Sequence, residues 1–159
     1  MLVVQNNLAA TYWRLRQTEK AMNAFRDVYL GRLKLLGEEY ELTLTAANNY
    51  AASLLDLKRF EEAQSLMRKT IAVARRVLGG NHEFALKLKW CYAQSLYKDD
   101  GASLDDLCEA VATLEDVERT ARRVFGGSHP LVLEIEPDLQ IARAALHARD
   151  DACDYDEPD

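Results

Sequence analysis

Apolar and small residues recur three or four positions apart along most of the chain, in segments separated by short polar turns. The pattern is clearest over residues 42–57 and 60–78, with a polar turn at 58–59 between them. Such spacing places the apolar side chains on one face of an α-helix. The glycine-containing segment 79–81 is expected to end the second helix, because glycine tolerates the left-handed conformation at a helix C-terminus. The pattern therefore predicts a helix–turn–helix unit.

The preceding segment has the same design. Helices are predicted over residues 4–15 and 19–36, with a turn at 16–18 and Gly37 as the stop. The residue types also repeat: Asn-Leu-Ala-Ala at 7–10 stands 42 positions before Asn-Tyr-Ala-Ala at 49–52, and Leu36-Gly37 stands 42 before Leu78-Gly79. A fixed period of this size indicates supersecondary units stacked in an array.

The last part of the chain departs from the period. Helices are predicted over residues 86–98 and 104–125, with a longer turn at 99–103 between them. Either Ser103 or Asp105 is expected to be the N-cap of the second helix. A final helix is predicted over 131–149. It contains Pro137, which must either kink the helix or delay its start to about residue 137.

These segments define the predicted domain organisation, in which one array precedes an acidic tail. The tail has six of the 26 acidic residues and no basic one, so residues 1–149 carry no net charge. It is expected to be disordered. The predicted boundaries are repeats 1–39, 40–81 and 82–128, a half-repeat 129–149, and a tail 150–159.

Alternating small and large positions carry a resemblance to a known family. Ala51 and Ala63 mark the small positions of the second unit, and Leu54 and Met67 the large ones. This order resembles the tetratricopeptide repeat (TPR), and the 42-residue length is similar to the kinesin light chain subtype. The resemblance implies an all-α, right-handed TPR superhelix, an α-solenoid, of about 3.5 repeats. The equivalent small positions are Ala9, Ala21, Ala93 and Ala110, and the large ones are Tyr12, Phe25, Leu96 and Leu114.

The resemblance also implies a peptide-binding groove, because the first helix of each TPR unit lines the concave face. Asparagine amides there can donate to a peptide carbonyl and accept from a peptide N–H, and aromatic side chains supply contact area. Asn48 and Asn49 could instead bond neighbouring helices and hold the repeats in register, and Trp90 could be buried core. The predicted groove residues are Asn6, Asn7, Trp13, Arg14, Thr45, Asn48, Asn49, Asp56, Lys87, Trp90, Gln94, Tyr97 and Lys98. Trp13 and Tyr97 share one repeat position and are expected on the same face.

The remaining chemistry of the sequence argues against an enzyme. The three histidines and three cysteines lack the spacing of a zinc site, and no P-loop or nucleophile elbow is present. No metal, cofactor or catalytic residue is therefore predicted. The neutral body has no basic field for nucleic acid, and no apolar run is long enough for membrane insertion. Three unpaired cysteines favour reduced thiols and a cytoplasmic location, with two of them filling helical interfaces.

The predicted function is a protein-interaction scaffold or adaptor that holds an extended peptide in its concave groove. The kinesin light chain resemblance implies binding of cargo through short acidic or aromatic peptides. One alternative is a structural or oligomerisation segment that associates end to end through an exposed apolar terminus. Another is a fragment of a signalling ATPase or enzyme whose catalytic domain lies outside these residues.

Overall fold

A computed structural model describes residues 1–154, with side chains through residue 150. Within this range the chain forms seven α-helices and no strand. Their order matches the predicted pairs, with short connections inside each pair. The helices are α1 (Leu2–Arg14), α2 (Thr18–Leu36), α3 (Glu41–Asp56), α4 (Phe60–Leu78), α5 (Glu83–Tyr97), α6 (Leu104–Phe125) and α7 (Pro130–Asp154).

The final helix differs from its prediction. It begins at Pro130 and continues through Pro137, so a start delayed to about residue 137 is wrong. It extends to Asp154, five residues into the segment expected to be disordered. The rest of that segment, 155–159, lies outside the described residues, and its disorder stays a prediction.

The chain divides into two compact units, which are Met1–Gly80 and the part from Asn81 onward. In unit 1, α1 packs on α2, α2 packs on α3, and α3 packs on α4. In unit 2, α5 packs on α6 and α6 packs on α7, and α5 also contacts α7 directly. Helices α1, α3, α5 and α7 are the first helices of successive repeats.

The core of each unit is built on the repeated small and large positions. Ala9, Ala51 and Ala93 on first helices are fully buried, as are Ala21, Ala63 and Ala110 on second helices. Alanine at these positions lets the paired helices approach closely. Burying a large apolar side chain contributes about 1.5–3 kcal/mol. The predicted large positions Phe25, Leu54, Met67, Leu96 and Leu114 are all buried, and Tyr12 is partly buried.

Three glycines end the second helices. Gly37, Gly79 and Gly126 have φ values of 86°, 90° and 92°, so the predicted need for a positive φ is confirmed. Their ψ values of 174°, 152° and 159° are extended rather than helical, which differs from the expected left-handed helical conformation. This combination is essentially restricted to glycine. It turns the chain out of the helix toward the next repeat.

Side chains in the linkers cap several first turns. The Ser103 hydroxyl accepts a hydrogen bond from the Asp106 N–H, and the Asp106 carboxylate accepts one from the Ser103 N–H, which forms a capping box. Ser103, rather than Asp105, is therefore the N-cap. The Nδ1 atoms of His82 and His129 accept from the backbone N–H groups two residues on, each at 3.2 Å. These linker histidines thus have structural partners.

Candidate peptide-binding surfaces

Four asparagines lie on the first helices of unit 1. Asn6 and Asn7 are on α1, and Asn48 and Asn49 are on α3. Asn7 is exposed and the other three are partly buried. None of the four side-chain amides forms a hydrogen bond with another described residue, and Asn6 Oδ1 is buried without a partner. In the described part of the chain, Asn48 and Asn49 therefore form none of the side-chain hydrogen bonds to neighbouring helices that the alternative prediction requires.

The predicted groove residue Thr45 is engaged within its own helix. Its hydroxyl donates to the carbonyl of Glu41 at 2.9 Å, one turn earlier on α3. This bond occupies the hydroxyl proton and leaves the oxygen as an acceptor. Thr45 is thus a weaker candidate for a ligand contact than the unpartnered asparagines beside it.

A tryptophan bridges the two first helices of unit 1. The Trp13 indole N–H on α1 donates a short hydrogen bond to the Asp56 carboxylate at the end of α3. Trp13 remains 50% exposed and helps line an open pocket of about 400 Å³ with Asp56, Arg14, Arg16 and Thr18. Neither Arg14 nor Arg16 forms an ion pair with another described residue. Three predicted residues, Trp13, Arg14 and Asp56, are therefore brought together.

A different tryptophan bridges the first helices of unit 2. The Trp90 indole N–H on α5 donates to Asp138 Oδ2 on α7 at 2.5 Å, and the Gln94 side-chain amide donates to the same oxygen at 2.7 Å. Trp90 is partly buried, but its N–H has a polar partner. Trp90 is therefore not simply a buried core residue.

Asp138 is the functional candidate that sequence reasoning missed. It stands 47 residues after Cys91, the interval that also separates His82 from His129 in this lengthened repeat. Asp138 therefore occupies the repeat position of Asn7 and Asn49. The irregular spacing hid this equivalence, although alignment on the two linker histidines would have shown it.

Tyr97 also belongs to the unit 2 site, but it is less exposed than its repeat counterpart Trp13. The Tyr97 side chain is 7% exposed, and its hydroxyl is buried beside the Asp138 carboxylate. Burial, followed by the Asp138 carboxylate acting as a hydrogen-bond acceptor and as a negative charge, raises the pKa of Tyr97. The hydroxyl thus stays protonated at neutral pH. The shared repeat position does not give the two aromatic residues the same exposure.

The two lysines predicted for this groove have different surroundings. Lys87 forms an ion pair with Glu83 at 2.6 Å, and this hydrogen bond lowers the pKa of the Glu83 carboxyl. The Lys98 ammonium lies 5.9 Å from the centroid of the Tyr97 ring, within the range of a cation–π contact. Lys98 is exposed and forms no ion pair with a described residue.

The cysteines divide into one buried thiol and one exposed thiol among those whose side chains are described. Burial raises the pKa of Cys91 to about 12, so its thiol is protonated at neutral pH. Cys108 is exposed on α6, so it is not one of the two cysteines expected to fill helical interfaces. The side chain of Cys153 lies outside the described residues. The cytoplasmic location inferred from these thiols stays a prediction.

The described residues contain no group of three or more histidine, cysteine, aspartate or glutamate side chains placed to hold a metal ion. Among the described helices, none is sufficiently long and apolar to cross a bilayer.

The repeat pattern corresponds to a family. Residues 2–39 and 43–83 match the sequence profile of the tetratricopeptide repeat. The chain is a tetratricopeptide repeat protein. No curated protein matches its sequence significantly.

Several solved structures have the same fold. The nearly identical TPR-like repeats of a candidate kinesin light chain from Podosopora anserina superpose with a TM-score of 0.80 at 24% identity, and a variant of that protein gives 0.80 at 22%. Each comparison covers 93% of this chain and 67% of the other. BtubC (BKLC) from P. vanneervenii gives a TM-score of 0.70 at 17% identity over 99% of this chain and 66% of its own. The prediction of an all-α TPR fold is confirmed.

Proposed function

We propose that this TPR protein is a protein-interaction scaffold whose first helices bind an extended peptide. The observation that carries the proposal is the set of four asparagine amides on α1 and α3 that lack hydrogen-bond partners among the described residues. A polar group withdrawn from water is costly unless it is paired. An extended peptide offers both a C=O and an N–H, so its backbone can satisfy such amides.

The surroundings of these amides suit the same ligand. Trp13 offers a half-exposed aromatic surface whose N–H is already held by Asp56, so its orientation is fixed before a ligand arrives. A pre-oriented aromatic side chain supplies contact area at a low entropy cost. The unpaired Arg14 and Arg16 can pair with acidic groups of the peptide.

The finer proposal is a cargo adaptor of the kinesin light chain type. The fold shared with the Podosopora anserina repeats supports it. The 42-residue period of this chain also supports it. TPR repeats are typical of non-catalytic binding proteins, which agrees with a scaffold rather than an enzyme.

A peptide-display selection on the whole chain tests the binding function. The wild-type protein should enrich peptides that share a motif. The double substitution Asn48→Ala/Asn49→Ala should lose this enrichment, because it removes two peptide-backbone contacts while alanine preserves helix propensity. Circular dichroism should show unchanged helicity in both proteins.

The matched control is Asn23→Ala, which removes an exposed amide from the second helix α2. Asn23→Ala should select the same motif as the wild type. Selection of one motif by all three proteins would contradict binding at the α1–α3 surface, and the absence of any motif would contradict the function itself.

Self-association is the second candidate function, and an apolar face of α1 favours it. Val3, Val4 and Leu8 are 66%, 70% and 47% exposed. The mass measured by light scattering should then rise with concentration, and Val4→Asp should abolish the rise. Leu2 is a poor site for this test, because its side chain packs over Gly31. A constant monomer mass would exclude this function.

A further inference from the structure

The Asp138 carboxylate carries a negative charge that no cation in the described residues neutralises. Its donors among the described residues are neutral, and those on Trp90 and Gln94 both reach the same oxygen, Oδ2. No lysine, arginine or histidine of the described chain forms an ion pair with it. Asp138 is also partly buried, which makes an unpaired charge less favourable than it would be at an exposed position.

The Tyr97 hydroxyl gives this site a second polar group. It is buried beside Asp138, whose carboxylate raises its pKa, and no other described residue is its hydrogen-bond partner. Because the hydroxyl stays neutral, its oxygen can accept a hydrogen bond from a ligand. The site therefore offers two acceptors, Asp138 Oδ1 and the Tyr97 oxygen, beside the indole ring of Trp90.

We propose that the cluster of Trp90, Gln94, Tyr97 and Asp138 binds the positively charged side chain of a lysine or arginine in the bound peptide. This inference rests on the proposed peptide-binding function and names the residue type that unit 2 recognises. An ammonium or guanidinium group has several N–H donors, so it can pair with Asp138 Oδ1 and also donate to the Tyr97 oxygen. The neighbouring aromatic rings add a cation–π attraction.

Trp90 and Gln94 position the carboxylate for this contact. Their two hydrogen bonds occupy Oδ2 and fix the orientation of the Asp138 side chain, which leaves Oδ1 for the ligand. In unit 1 the carboxylate that accepts the indole hydrogen bond is Asp56, which lines a pocket with Arg14 and Arg16. These arginines repel a cation, so the preference for a basic residue belongs to unit 2.

Among the described residues, Lys98 is a groove cation near this site that forms no ion pair. Its ammonium lies over the Tyr97 ring rather than on Asp138. Because both carry a positive charge, Lys98 repels a cationic ligand at this site. Removing Lys98 is therefore expected to strengthen the binding of a cationic ligand.

Nuclear magnetic resonance tests the site directly in a Trp13→Phe background. The chain has two tryptophans, so only the Trp90 indole N–H signal remains. Titration with N-acetyl-lysine-methylamide should shift this signal. N-acetyl-norleucine-methylamide, which has the same four side-chain carbons but no ammonium group, should leave it in place. Equal shifts with both probes, or no shift with either, would overturn the proposal.

Substitutions then separate charge from shape. Asp138→Asn keeps the acceptor for Trp90 and Gln94 but removes the charge, and it should weaken lysine binding about tenfold. Asp105→Asn removes an exposed carboxylate on α6 and should leave binding unchanged. Lys98→Ala should bind the probe more tightly than the wild type. Equal binding by Asp138→Asn and the wild type would overturn the proposal.

The peptide selection distinguishes this inference from the proposed function. If both hold, the wild-type motif contains a lysine or arginine, and Asp138→Asn loses only that preference. A motif without a basic residue would overturn the inference and leave the binding function standing. If no peptide is enriched, the proposed function fails, and the inference about a bound peptide fails with it.

Discussion

Units 1 and 2 each join two first helices through an indole–carboxylate hydrogen bond, but the surroundings of the two bonds differ. In unit 1 the half-exposed Trp13 pairs with Asp56 beside two unpaired arginines. In unit 2 the partly buried Trp90 shares Asp138 with Gln94, next to the buried Tyr97 hydroxyl. We therefore expect the first site to favour an anionic group and the second a cationic one.

The two bonds also arise from different repeat positions. The counterparts of Trp13 in the next repeats are Leu55 and Tyr97, whereas those of Trp90 are Asn6 and Asn48. The shared backbone thus depends on alanines and glycines that repeat in both units. The proposed ligand contacts differ between the units, because Asn48 and Asn49 of α3 are replaced by Trp90 and Cys91 in α5. Substitutions at repeated positions should therefore affect both units alike, and those at unrepeated positions should not.

The largest expected effect is the loss of stability when a buried leucine is shortened, and it should be equal in the two units. Leu54→Ala in unit 1 and Leu114→Ala in unit 2 each remove a fully buried side chain. Each should lower the free energy of unfolding by about 2–5 kcal/mol, because a cavity remains. Urea denaturation measures this, and Leu35→Ala, at a 71% exposed position, is the control. If either substitution lowered the free energy of unfolding as little as Leu35→Ala does, the two units would not depend equally on their buried leucines.

The second expected effect is the loss of stability when a helix-ending glycine is replaced, and it should again be equal in the two units. Gly79→Ala and Gly126→Ala each force a side chain into a positive φ and should lower the free energy of unfolding by about 1–3 kcal/mol. Gly80→Ala is the control, since its new Cβ would lie 3.7 Å from Arg75 Cγ, an ordinary contact. If Gly79→Ala proved as harmless as Gly80→Ala in thermal unfolding, positive φ would not be what these sites require.

The repeated positions are also the part that the sequence could predict. Apolar spacing and the 42-residue period predicted both ends of six helices to within three residues. They also predicted where the seventh helix begins. These predictions succeeded because burial and helix periodicity are local properties of the pattern. Asp138 and its bond to Trp90 escaped prediction. That contact joins residues 48 positions apart, and the lengthened third repeat obscured their equivalence.

The third prediction contrasts the starts of second helices. Ser103→Ala should lower the free energy of unfolding by about 1 kcal/mol, because it removes the capping box of α6. Gln17→Ala, at the N-cap of α2, should have an effect within about 0.5 kcal/mol, since the Gln17 side chain makes no cap bond. Equal changes in the urea midpoint would contradict the difference.

The smallest expected effect separates the two tryptophans. Trp90→Phe should lower the free energy of unfolding by about 1 kcal/mol, because it removes a donor from a partly buried carboxylate. Trp13→Phe should cost about half as much, since water can reach the exposed Asp56. If urea denaturation showed that Trp13→Phe lowers the free energy of unfolding more than Trp90→Phe, the greater burial of the Trp90 site would not determine the cost.

The most direct test of peptide binding is the dissociation constant of the best selected peptide, measured by isothermal titration calorimetry. Asn48→Ala/Asn49→Ala should bind this peptide at least about tenfold more weakly than the wild type, a difference of about 1.4 kcal/mol. Asn23→Ala should bind it as the wild type does. Equal dissociation constants for the wild type and the double variant would contradict peptide binding by the asparagines of α1 and α3.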